Sequence, residues 1–287
     1  RSHATNFYGE QHPRFAEHAK PRDITTYEDD PSALLREFGH EAPEQVVDLL
    51  VGGPPCPTFT RVGRAKLREV HQHPEAFRHD PRARLYRPYL SFVAALKPLA
   101  VVIENVPDFL NWGGHNLAEE ICEVLEEMGY LCAYTLLNAA NYGVPQMRER
   151  FFLVAFHATV GQKSTFPVPT RSVNFPPGYT GSRDVALKSL RDGPTPPFFT
   201  LPRFVPTPTV PKGSASPVGV REAIADLPPI TGHLDGTIRR GARRFTDAVG
   251  YWEDGPPSAY ARSMREWPGF EGDGRIWDHA IRSLSAR

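Results

Sequence analysis

Val46-Val-Asp-Leu-Leu-Val-Gly-Gly-Pro-Pro-Cys-Pro57 is the stretch that decides the fold. A short, mostly apolar run ends in two glycines and two prolines, and a lone cysteine, Cys56, follows. An apolar run closed by turn formers reads as a buried strand entering a loop. In open α/β sheets, ligands bind outside the carboxyl ends of strands, and a thiol presented there is placed to act as a nucleophile. The competing reading of this stretch alone is a buried structural cysteine, because free cysteine is among the most buried residue types.

On both sides of it, strand and helix patterns alternate. Pro31–Gly39 reads as a short helix with Leu34, Leu35 and Phe38 on one face. Leu85–Leu96 has helical spacing, and Leu99–Ile103 is a continuous apolar run of the kind buried on both faces of a sheet. Leu117–Met128 is amphipathic, with Leu117, Ile121, Val124, Leu125 and Met128 inward, and Gly129 ends it. Leu131–Leu137 and Arg150–Phe156 are the next strands. Alternation of this kind predicts an α/β fold built on a doubly wound, mostly parallel sheet.

Near residue 160 the character changes. Fourteen of the 30 prolines fall between Phe166 and Ile230, and regular elements become sparse, with Val218–Leu227 a short helix. The expected organisation is one α/β domain over 1–164 and a second, irregular mixed domain over 165–287.

At 287 residues and 40% hydrophobic content the chain is able to bury a real core. No apolar run approaches the ~20 residues of a membrane span, and no charged-then-apolar leader opens the chain. Three cysteines without paired spacing argue against a disulfide scaffold, so a reducing, cytoplasmic location is expected. Net charge is zero, but residues 57–87 hold 8 basic against 3 acidic side chains. A basic stretch directly after a candidate nucleophile suits a phosphate-bearing substrate, although a charge run by itself is equally a solvated loop. His71 and His73 lack a second ligand pair and are taken as loop surface, so no metal is expected.

Three short segments lie at ends of these strands: Pro54-Pro-Cys56, Ile103-Glu-Asn-Val-Pro107 and Asn141-Tyr-Gly-Val-Pro-Gln-Met-Arg-Glu-Arg150. Strand-end placement would bring a thiol, a carboxylate and two arginines into one cleft. Separately each has a bland reading: Glu104 as a surface acid, Arg148 and Arg150 as structural partners of Glu149 or another acid.

Together these segments resemble the C5-cytosine-specific DNA methyltransferases. The resemblance rests on Pro55-Cys56, on Glu104-Asn105-Val106, on Gln146-Met-Arg148-Glu-Arg150, and on the later Ala223-Ile-Ala-Asp-Leu-Pro228. It covers roughly residues 1–160 by motif. It implies a Rossmann-like methyltransferase domain followed by a target-recognition domain, with S-adenosylmethionine as cofactor and double-stranded DNA as partner, near the nucleoid. It also implies that Cys56 adds to carbon 6 of a flipped-out cytosine and that Glu104 holds the ring nitrogen N3 and the exocyclic amine. Arg150 would bind the carbonyl oxygen of the base, and Arg148 a phosphate or its own loop. Asp23 and Ile24, in a segment similar to the family's Gly-Asp-Ile, and Pro54 would line the cofactor pocket. The loop Thr58–His79 would close over the nucleic acid.

The chain departs from the family pattern in three ways. No Phe-x-Gly-x-Gly turn is present, the Asn-Ser/Ala-Val closing turn is missing, and Pro57 stands where glutamine is usual. Either the sequence is partial, the reading favoured here, or a second polypeptide supplies the missing cofactor-binding segments. Three rival functions remain open: a transfer RNA cytosine-5 methyltransferase, a non-catalytic DNA-binding subunit, and a thiol hydrolase pairing Cys56 with a histidine.

Overall fold

The structure, a computed structural model, describes residue 4 and residues 11–41, 46–54, 85–111, 116–192, 203–229, 248–252, 256–267, 270–271 and 274–277. Cys56, the loop Thr58–His79 with His71 and His73, and the Pro55 and Pro57 positions lie outside the described residues. The chain packs as two compact units, Pro21–Ser216 and Arg1–Lys20 with Pro217–Arg287.

The α/β class expected from the sequence is the one the chain adopts. In the larger unit, β1 (Leu49–Gly52), β2 (Ala100–Asn105), β3 (Tyr130–Asn138) and β4 (Glu149–His157) form one sheet in the order β1-β2-β4-β3. β1 and β2 are parallel, with Leu49 opposite Ala100 and Gly52 opposite Ile103. A parallel pair requires a long crossover, and the helix Tyr86–Leu96 lies within it. β4 runs antiparallel to both neighbours, and only residues 139–148 connect β3 to β4, a length that suits a hairpin. The described sheet is therefore mixed.

Three helices are numbered here: α1 (Ser32–Glu37), α2 (Tyr86–Leu96) and α3 (Leu117–Glu127). α2 tolerates Pro88 because the first turn has no intrahelical acceptor for that nitrogen. It stops at Lys97, whose left-handed backbone donates back to Val93 O, with Pro98 following. α3 starts where the Asn116 side chain accepts from Ala118 N, with Glu119 and Glu120 in the first turn, and ends at Gly129, whose φ of +89° favours glycine.

One core holds these elements together. Tyr89 and Val93 of α2 and Leu117, Ile121 and Leu125 of α3 join Val101 and Ile103 of β2, Phe151 and Leu153 of β4, and Tyr134 and Leu136 of β3. Both helices thus share the sheet face that carries Val101 and Ile103. This corrects the expectation that the apolar run Leu99–Ile103 is buried on both faces: along β2 buried residues alternate with half-buried ones. On β1, Leu49 and Val51 are 53% and 64% exposed. Gly52 is required where β1 ends, since a Cβ there would lie 2.3 Å from the Tyr89 ring.

The far edge of β3 is covered by the segment 203–207. Tyr134 N donates to Arg203 O (3.0 Å), Val205 N to Tyr134 O (2.9 Å) and the Thr207 hydroxyl to Leu136 O (2.7 Å). Arg203, only 9% exposed, then reaches Glu119 (2.5 Å) and Glu126 (2.7 Å) on α3. These acids hold its guanidinium charged, pushing its pKa further above the ordinary arginine value. A further helix, α4 (Gly181–Asp192), packs on the short turn Pro107–Asn111 that follows β2, with Ala186 buried.

The second unit contains α5 (Val220–Ile224) and α6 (Ala259–Arg265), which pack together, and small antiparallel ribbons. The helix expected over Val218–Leu227 forms but is shorter. Asp226 is nearly buried and pairs with Arg265, whose guanidinium lies 3.5 Å above the Tyr251 ring. Among the described residues no helix is long and apolar enough to cross a membrane.

The core assignment predicts a contrast. Leu125→Ala should lower unfolding free energy by about 2–5 kcal/mol, whereas the half-exposed Leu49→Ala should cost about 1 kcal/mol or less. Urea denaturation of both variants checks this.

Candidate active site

Antiparallel pairing sets the site. The end of β2 meets the start of β4, with Glu104 opposite Phe152. Arg150, two residues before Phe152, therefore lies on the same sheet face, diagonally across from Glu104. Arg150 Nε is 3.0 Å from Glu104 Oε1, and Arg148 Nη2 is 3.9 Å from the same oxygen. Three of the four residues expected to do chemistry from the sequence thus converge. Arg150 is further held by donation from Nη1 to Glu149 O at 2.7 Å. Glu149 is not the partner of these arginines, the bland alternative considered above; its carboxylate turns the other way, to Arg183.

Glu104 is about one-third exposed, so the pair faces solvent and is open to a ligand. The next residue, Asn105, is fully buried. Its Nδ2 donates to Pro54 O at 3.2 Å, and its Oδ1 accepts from Val106 N at 2.9 Å. That amide fastens the loop after β1 to the end of β2. A Cβ on Gly53 would lie 3.6 Å from Glu104 Oε2, so the Gly53 backbone packs directly beside the carboxylate. Pro54, two residues before Cys56, is thereby fixed at Asn105, with Gly53 beside the carboxylate. The one sign of Asn105 in the sequence is its position directly after a strand-closing acid.

A cavity of about 550 Å³ opens on the other side of this loop. Asp23, Ile24 and Pro54 all line it, with Leu50, Gly52 and Phe92 among the remaining walls. Asp23 precedes a single 3-10 turn, Ile24–Tyr27, and caps it: Oδ1 accepts from the Thr25 hydroxyl (2.8 Å) and from Thr25 N (3.0 Å). These two bonds, the hydroxyl's first, hold the Asp23 carboxyl below the ordinary aspartate range. Its other carboxylate oxygen takes no part in this cap. The turn is tied to α1, where the Tyr27 hydroxyl donates to Glu37 Oε1 (2.7 Å) and Arg22 Nε to Glu37 Oε2 (3.1 Å).

Residues 2–195 match the family model of the C-5 cytosine-specific DNA methylases. The chain belongs to this family. It is 35% identical over 199 residues to the type II methyltransferase M.AgeI of Thalassovita gelatinovora, covering 69% of this chain and 38% of that protein. It is 33% identical over 151 residues to M1.HphI of Haemophilus parahaemolyticus, 53% of this chain and 36% of that one. To M.AquIA of Picosynechococcus sp. it is 31% identical over 189 residues, 63% of this chain and 68% of that one. The chain therefore spans well under half the length of the first two relatives.

The Asn105 amide is the fastening between the two loops. Asn105→Ala strands the Pro54 carbonyl and the Val106 N–H, at an expected cost of about 1–3 kcal/mol for each buried group that finds no water. Urea denaturation measures it; an unchanged midpoint would remove Asn105 from this role.

Proposed function

We propose that the native protein methylates carbon 5 of cytosine in duplex DNA, with Cys56 as the nucleophile. The observation that carries this reading is the convergence of Glu104, Arg150 and Arg148 at the end of β2, beside the Gly53-Pro54 backbone that leads to Cys56. Membership of the methylase family supports it.

The chemistry asks for these residue types. Carbon 5 of cytosine is a poor nucleophile. Addition of the Cys56 thiolate to carbon 6 moves electron density onto carbon 5 and toward N3. Glu104 would meet the exocyclic amine and N3 and deliver a proton there as charge builds. Arg150 would bind the carbonyl oxygen on the same edge. In the free protein Glu104 and Arg150 satisfy each other; a base entering between them takes over hydrogen bonds already aimed at that place. Arg148, more exposed, suits a backbone phosphate. After methyl transfer a base takes the carbon 5 proton, the C–H electron pair restores the carbon 5–carbon 6 double bond, and the Cys56 sulfur leaves as thiolate.

A cytosine stacked in a helix is out of reach of such a site, so the base is expected to flip out, at about a few kcal/mol. The chain after residue 165 would then read the neighbouring sequence.

The cavity lined by Asp23, Ile24 and Pro54 fits S-adenosylmethionine. Its volume of about 550 Å³ lies in the usual range of about 300–1,000 Å³ for small-ligand sites. Its walls are largely apolar, and the Asp23 carboxylate offers an acceptor to a purine amine. When bound, this cofactor supplies the electrophilic methyl group. Pro54 lines the cavity while its carbonyl is held by Asn105 and the preceding Gly53 lies beside the Glu104 carboxylate, so one short loop would join cofactor and base sites.

In the full-length native protein, Cys56→Ser should abolish methyl transfer to duplex DNA while retaining DNA binding. Glu104→Gln should lower kcat by about 100-fold or more. Incorporation of labelled methyl groups, with transfer RNA as the competing acceptor, measures both. Turnover of Cys56→Ser within about twofold of the parent would refute the assignment.

A further inference from the structure

The buried carboxylate between the two site arginines has a partner of its own. Strand alternation turns Glu149 away from the face that Arg150 shares with Glu104, and Glu149 is only 9% exposed. Both of its oxygens are occupied: Oε1 by Arg183 Nη1 at 2.5 Å and Oε2 by Asn138 Nδ2 at 3.0 Å. Asn138 in turn accepts from Arg148 N at 3.3 Å through Oδ1 and donates to the Tyr179 hydroxyl at 3.0 Å. The second Arg183 nitrogen, Nη2, donates to Thr207 Oγ1, whose hydroxyl proton goes to Leu136 O. These five side chains form one network that reaches β4 through Glu149 and the Arg148 N–H, and β3 through Leu136 O.

Arg183 belongs to α4, and α4 is anchored elsewhere. Ala186 is buried, Leu187 and Leu190 pack against the core, and Asn111 Nδ2 donates to Val185 O at 3.2 Å. Asn111 closes the short turn that begins two residues after Asn105. One helix thus touches both halves of the site, the turn after Glu104 by packing and the strand of Arg150 by an ion pair.

We infer that Arg183 is a positioning residue: by holding Glu149 from α4, it fixes the start of β4 so that Arg150 meets Glu104. The inference rests on the proposed methyl transfer for its kinetic consequence and on geometry alone for its structural one. Removing one partner of a buried pair leaves an uncompensated charge, which the start of β4 would relieve by turning. Small misplacements of a catalytic group are costly in rate.

The test uses the full-length native protein. Arg183→Gln and Glu149→Gln should each lower kcat for duplex DNA methylation by about tenfold or more with KM changed by less than about threefold. The double variant should be no slower than either single one. Arg183→Lys, which keeps the charge but not the two-pronged reach, should recover part of the rate. Arg203→Gln breaks another buried pair, whose partners all lie on α3, and serves as the control for lost stability. A kcat loss for Arg183→Gln no larger than that of Arg203→Gln at an equal fall in Tm would overturn the inference, as would additive losses in the double variant. If the parent protein transfers no methyl group, the functional reading fails, and a crystal structure decides the positioning claim. Arg150 Nε displaced from Glu104 Oε1 in Arg183→Gln supports it, and the bond kept at its parent length contradicts it. Should Arg183→Gln fail to fold, Arg183→Lys carries both comparisons.

Discussion

One buried amide holds the two halves of the site in register. Asn105 has no solvent to turn to, so its donor and acceptor must find protein partners. It finds the Pro54 carbonyl on one side and the Val106 N–H on the other. The loop leaving β1 is thereby stitched to the loop leaving β2, and everything the site does needs those two loops together. The Glu104 carboxylate, one residue earlier, is held on the opposite face by strand alternation, and β4 brings Arg150 to it. A hydrogen-bonded amide, rather than an ion pair, is well suited to this place: it is satisfied without charge and leaves the carboxylate beside it open to a ligand.

Much of this was legible in the sequence because it follows from local periodicity. α3 shows its apolar stripe and its Gly129 stop, and both form as read. The burial of β2 was not legible. A continuous apolar run looks the same whether one face or two is covered; here both flanking helices join the core on the Val101 and Ile103 face. The segment covering β3 was hidden for another reason. Arg203–Thr207 lies in a proline-rich stretch that reads as irregular, and Pro206 offers no N–H. The pairing with β3 draws on Arg203 O and Val205 N, so proline at the next position costs nothing.

The site divides along the same line. Glu104, Arg148 and Arg150 could be singled out because they lie at strand ends, where sheets of this class bind ligands, and antiparallel pairing brings them together. Asp23, Ile24 and Pro54 came only from resemblance, and a single cavity gathers them. Arg183 was invisible. Its partner is 34 residues away, and nothing in Gly181–Asp192 distinguishes a helix that braces a site from one that covers a surface. Long-range ion pairs leave no periodic trace.

The central claim is that the loop fastened by Asn105 presents a nucleophilic sulfur to a cytosine held by Glu104 and Arg150. Covalent trapping tests it most directly. A duplex carrying 5-fluorocytosine at the target, incubated with the full-length protein and S-adenosylmethionine, cannot release the enzyme, because fluorine replaces the proton that must leave. The account predicts a stable adduct, located by mass spectrometry on the peptide that contains Cys56. An adduct on any other residue, or an active protein that forms none, would contradict it.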